Sequence, residues 1–155
     1  MQVARSEQNT ALRGEAIRNA AVSGADVWPL YSPSDAVEVR QAVVEALMIK
    51  GDVSHLAEVA KTDKDAKVRH DAIRHLGAKP KERTGDILTS LYASEGDKDA
   101  RREILRALFA QQNGKALIDA ARKESDPSLK REAVQLLTQM KTPEAQEFLV
   151  ELLNK

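Results

Sequence analysis

Five segments of the chain share one order of side chains: an apolar residue, a cation, two mostly polar residues, two apolar residues and, three positions later, another apolar residue. They begin at Leu12, Val39, Val68, Ala100 and Leu129, and Val68-Arg69-His70-Asp71-Ala72-Ile73 shows the order most plainly. The closing apolar residues are Ala20, Leu47, Leu76, Leu108 and Leu137. Apolar side chains at offsets of three and four lie along one stripe of a helix. The cation column, Arg13, Arg40, Arg69, Arg101 and Lys130, recurs at intervals of 27, 29, 32 and 29 residues, too long for a coiled-coil seam and long enough for a pair of helices. A second helix is predicted in each interval, over 54–61, 84–93, 115–123 and 143–153. In the first pair Val27-Trp28-Pro29-Leu30-Tyr31 takes its place, and Pro29 limits it to about one turn.

The punctuation keeps the same period. Gly24, Gly51, Gly77 and Gly114 follow four of the repeated helices, where a residue free to take positive φ closes a helix. Asp65, Asp97 and Asp126 stand four residues before a cation, in the turn that opens the helix, where a short acceptor caps free N–H groups. Pro127 and Pro143 suit the first helical position, which needs no backbone donor. No linker divides the chain, so residues 1–155 read as a single domain, with the polar stretch 1–10 a disordered or partial cap segment.

The run Asp65-Ala66-Lys67-Val68-Arg69-His70-Asp71-Ala72-Ile73-Arg74-His75-Leu76-Gly77 resembles the HEAT repeat, and specifically its short bacterial variety. The likeness extends from about Leu12 to Leu153, with departures at Ala36, Ala100 and Lys130. The resemblance implies an all-α, right-handed solenoid of about five helical hairpins, the first and last incomplete, with the cation-bearing helices on its concave side. It also implies a noncatalytic protein-protein interaction module or scaffold. Two other readings come with it: a HEAT-like enzyme or enzyme-associated protein of the bilin lyase or DNA glycosylase kind, or a structural stretch of a longer solenoid. One hairpin cannot bury its apolar stripe alone, so neighbours must stack, and the curvature of the stack creates an extended binding surface.

Composition narrows the function classes. The 155 residues carry 24 Lys plus Arg against 24 Asp plus Glu, which removes the electrostatic drive for generic binding to nucleic acid or to an anionic membrane. There is no cysteine, hence no disulfide framework, thiolate metal site or cysteine nucleophile. Twenty-three alanines and only 3% aromatic residues favour closely packed helices over sheets or large aromatic pockets. No signal peptide or membrane span is read in the chain, and its compartment is left unassigned.

Two sets of residues stand out. At 100° per residue the cation column falls inside the apolar arc, and a cation on a packed face needs a partner. Arg40, Arg69, Arg101 and Lys130 are therefore expected to pair with Asp65, Asp97 and Asp126 as a structural ladder, within one unit or between adjacent units. One and five residues after the cations lie Arg18, His70, Arg74, Arg102, Arg106 and Arg131, a basic stripe suited to an acidic segment of a protein partner. Glu15, Asp71 and Glu103, three residues before Arg18, Arg74 and Arg106, offer local neutralisation instead. His70 and His75 diverge on one helix and His55 lies in another, so no metal site, cofactor or catalytic residue is read. Trp28 and Tyr31 are expected to pack the abbreviated first hairpin.

Overall fold

A computed structural model gives the fold of residues 1–154. The protein is all-α: among the described residues there are ten α-helices and no strand. They are α1 (Gln2–Ser6), α2 (Thr10–Val22), α3 (Val37–Lys50), α4 (Val53–Thr62), α5 (Ala66–Gly77), α6 (Lys81–Ser94), α7 (Lys98–Ala110), α8 (Gly114–Lys123), α9 (Pro127–Gln139) and α10 (Pro143–Leu153). Between α2 and α3 the abbreviated element is a 3-10 turn, Trp28–Leu30, with Pro29 inside it.

Several helices start where the sequence supplies an acceptor. Asn9, Asp52, Asp97, Asn113 and Asp126 precede α2, α4, α7, α8 and α9, and each side chain accepts a backbone N–H of the first turn. Such a cap contributes on the order of 1 kcal/mol. Ala36 stands at the corresponding place before α3 and has no side chain to offer.

The chain divides into two compact units, residues 1–75 and the residues from Leu76 onward. In the first, α1 packs on α2, α2 on α3, and α3 on both the 3-10 turn and α4. Residues 1–10 take part: Ala4 of α1 is fully buried. In the second unit consecutive helices pack, and so do alternate ones. Helix α7 meets α9, while α8 meets both α6 and α10, which makes two layers.

The repeated apolar columns supply the core of each unit. Val39, Val68, Ala100 and Leu129, which precede the cations, are buried, as are Ala20, Leu47, Leu76, Leu108 and Leu137 at the ends of the pattern. Each buried leucine or valine of these columns contributes about 1.5–3 kcal/mol. Leu12 departs from its column and is 53% exposed.

Two of the four glycines behave as helix terminators. Gly24 and Gly51 have φ of 89° and 69°. Gly77 and Gly114 do not, which corrects the expectation drawn from their spacing. The left-handed residue after α7 is Gln112, at φ 53°, and Gly114 opens α8. Gly77 is required by a close approach: a Cβ there would lie 2.6 Å from the Cβ of Ala107. Helix propensity alone favours Gly77→Ala by up to about 1 kcal/mol, whereas overpacking costs about 1–3 kcal/mol. The substitution is expected to lower the urea midpoint, and Ala107→Gly in the same chain to recover part of the loss. A midpoint above that of the wild type would show that the contact does not constrain the fold.

Candidate functional site

The cations of the repeated column do not pair with the aspartates that open their own helices. Each of those aspartates caps the backbone of its helix. Asp65 accepts from the N–H groups of Lys67 and Val68, Asp97 from Ala100, and Asp126 from Ser128 and Leu129. The Leu129 N–H, the Ser128 hydroxyl and Lys98 hold the Asp126 carboxyl well below the usual carboxylate range. The acids that meet the cations stand earlier in the same loops. Arg40 pairs with Asp63 and Arg101 with Glu124, the latter at 2.6 Å. The ladder expected from Asp65 and Asp126 is therefore displaced by two residues at Arg40 and Arg101, while Asp126, besides its cap, meets Lys98 of α7 at 3.0 Å, a cation outside the repeated column.

The displaced acids are shared acceptors. In the first unit, Asp35 receives a two-pronged bond from Arg13, at 3.0 and 2.9 Å, while its carbonyl accepts from Arg40 Nε at 3.2 Å. Asp63 repeats this: its carboxylate accepts from Arg40 and from the Tyr31 hydroxyl, the latter at 2.5 Å, and its carbonyl accepts from Arg69 at 2.9 Å. In the second unit, the Glu124 carboxylate accepts from Arg101 and the Tyr92 hydroxyl. Arg40 and Asp63 are almost wholly excluded from water, with side chains 2% and 0% exposed. Lys130, the last cation of the column, lies exposed and makes no ion pair among the described residues. An ammonium on a flexible stem lacks the planar fork that lets an arginine bond two groups at once.

The residues missed by the sequence reading form their own motif. Glu7-Gln8-Asn9, Asp63-Lys64-Asp65, Glu95-Gly96-Asp97 and Glu124-Ser125-Asp126 share the form acid, any residue, Asp or Asn. In all four the first carboxylate accepts the backbone N–H of the third residue at 2.8 Å. The third residue then caps the next helix. The spacings of Asp63, Glu95 and Glu124, 32 and 29 residues, match the last two intervals of the cation column and were the available signal.

The basic stripe is largely neutralised. Arg18 pairs at 3.0 Å with Glu45 of α3 rather than with Glu15. Arg74 pairs with Asp71 one turn earlier, and Asp71 also accepts from Gln41 at 2.5 Å. Arg102 meets Asp99 and Glu132, and Arg106 meets Glu103 and Glu132, so Glu132 of α9 joins two arginines of α7. His70 is half-buried on α5, and Arg131 is exposed on α9 without an ion pair among the described residues.

Trp28 and Tyr31 pack as more than filler. The indole stacks on the Tyr31 ring at 5.1 Å and on the His55 imidazole at 4.2 Å. His55 is held by Asp52 at 2.7 Å. Burial works against the charge on Asp52, but the His55 side chain and backbone outweigh it and keep the carboxyl below its ordinary value. Among the described residues no three His, Asp or Glu side chains group so as to hold a metal ion, and no helix is long and apolar enough to cross a membrane.

Neither a family model, nor a curated protein, nor a solved structure matches the chain.

Burial, then the hydrogen bond to a carboxylate, pushes both tyrosine hydroxyls well above the ordinary phenol value of 10.0. A folded pKa above the unfolded one gives a contribution that is whole below about pH 10 and lost as the pH rises beyond it. Tyr31 and Tyr92 are the only tyrosines, so tyrosinate absorbance reads them alone. Between about pH 9 and about pH 11 the absorbance is expected to stay flat until the protein unfolds. A titration near 10 in the folded protein would contradict the buried bonds. Tyr31→Phe or Tyr92→Phe should each cost about 1.5–3 kcal/mol in urea unfolding.

Proposed function

We propose that the chain is a noncatalytic protein-binding module, built as an α-solenoid of HEAT-like hairpins, whose binding face is the polar side of the cation-bearing helices. The observation that carries this reading is the repetition of one internal device. The residue types that could do chemistry are used for support: the cluster of Tyr31, Arg40 and Asp63 recurs 61 positions on as Tyr92, Arg101 and Glu124, and in both places it ties neighbouring helices together. Repetition of this kind serves architecture, and architecture of this kind serves to present a surface.

That surface is ordered before any partner arrives. Arginines pinned by carboxylates of neighbouring helices lose less side-chain entropy on binding than free ones. Within the stripe Arg74 is 66% exposed and Arg131 is also exposed, so an acidic side chain of a partner protein could meet either. Neither makes an ion pair to another helix, which separates their contribution to binding from any contribution to folding.

The test is retention of proteins on immobilised full-length chain, wild type beside the variant Arg74→Glu/Arg131→Glu. The variant is expected to melt within a few degrees of wild type and to lose the proteins that wild type retains. Identical retention by both, or none above a blank column with wild type, would overturn the reading.

A further inference from the structure

The two units carry the same network at a constant offset. Tyr31, Arg40, Asp63 and Asp65 of the first correspond, 61 positions on, to Tyr92, Arg101, Glu124 and Asp126 of the second. The contacts correspond too: tyrosine hydroxyl to acid, arginine to acid, and the acid to the N–H two residues later. Beside this network the second unit has a cavity of about 240 Å³ between α6 and α8, bounded by Thr89, Tyr92, Arg101, Ala116, Asp119 and Lys123. At the same offset, Thr89 corresponds to Trp28 and Ala116 to His55. Those two side chains stack on each other in the first unit, with Trp28 also on Tyr31. The second unit thus has no ring at these two positions, and Thr89 lies in α6 where Trp28 lies in the 3-10 turn.

From this correspondence we infer that the cavity is a binding site for a planar aromatic ring carrying a carboxylate. The ring takes the place that the Trp28 indole holds in the first unit. The guanidinium of Arg101 lies over one face of the Tyr92 ring, 4.7 Å from its centroid, which leaves the other face of the ring and the outer plane of the guanidinium as stacking surfaces. The carboxylate is directed by the donors. Arg101 Nε is buried without a hydrogen-bond partner, whereas its counterpart Arg40 Nε donates to the Asp35 carbonyl. The Arg101 side chain as a whole is 24% exposed and brings the positive guanidinium to the cavity wall. Lys123 adds a positive charge at the rim. Asp119, the acid of the lining, accepts from a ring N–H and opposes a ligand with a second anionic group. This inference does not rest on the protein-binding reading.

Such a group can arrive as a free aromatic acid or as an aromatic side chain next to an acidic one in a peptide, and the experiment separates the two. Indole-3-acetate, indole, cyclohexylacetate and a short peptide containing Glu-Trp are titrated into the full chain, followed by backbone amide chemical shifts. Saturable shifts at Thr89, Tyr92 and Ala116 are expected with indole-3-acetate, and indole and cyclohexylacetate should bind at least about tenfold more weakly. Tighter binding of the peptide than of the free acid identifies a partner's side chain as the source, and the reverse identifies a small molecule. Thr89→Trp/Ala116→His, which rebuilds the stack of the first unit, should abolish these shifts without lowering the melting temperature. Ala116→Leu, a smaller filling, should weaken binding at least about tenfold if the double variant does not fold. No saturable shift with either indole-3-acetate or the peptide, equal binding of cyclohexylacetate, or undiminished binding by a folded filled variant would overturn the proposal.

Discussion

A carboxylate removed from water is tolerated only when every lone pair it turns inward finds a donor, and in this protein that demand fixes the junctions between helices. Asp63 follows α4, and its carboxylate collects the Arg40 guanidinium, the Tyr31 hydroxyl and the Asp65 N–H. Its own carbonyl collects Arg69. One residue therefore fixes the end of one helix, the start of the next and the arginines of two successive repeats. Removing a single partner of such a group leaves an uncompensated buried charge, at a cost of about 3–5 kcal/mol.

The same constraint explains where the pattern relaxes. Asp35 and Asp63 bridge two arginines each, one through the carboxylate and one through the carbonyl. Glu124 serves Arg101 through its carboxylate, and the next cation, Lys130, is exposed. The second unit instead gains cohesion from its two helix layers and from Glu132, which ties Arg102 and Arg106 of α7 to α9. These pairs are partly open to solvent and each contributes little, so their main effect is to orient the arginines.

The helices were legible because their signals are local. Apolar stripes, Pro29, Pro127 and the caps at Asp97 and Asp126 act within one turn of where they stand, and the elements begin and end close to those marks. The need of Arg40 and Arg101 for a partner was legible for the same reason, since a cation inside an apolar arc cannot stay unpaired. The identity of that partner was not. Asp63 is extended at the end of α4, whereas Asp65 accepts the first N–H groups of α5. The nearer aspartate is drawn into capping, leaving the extended residue before it to cross to the neighbouring helix. Gly77 misled in a similar way: its contact with Ala107 is made by residues thirty positions away, beyond the reach of any local rule. The stacking of Trp28 on His55 likewise depends on how the 3-10 turn approaches α4.

A double-mutant cycle on Arg40 and Asp63 tests the central claim most directly, with urea unfolding followed by the fluorescence of Trp28, the one tryptophan. If the buried acid is the shared anchor, Arg40→Met and Asp63→Asn should each cost about 3–5 kcal/mol. The double variant should then cost less than their sum by more than about 1 kcal/mol. Single variants within about 0.5 kcal/mol of wild type, or losses that simply add, would contradict it.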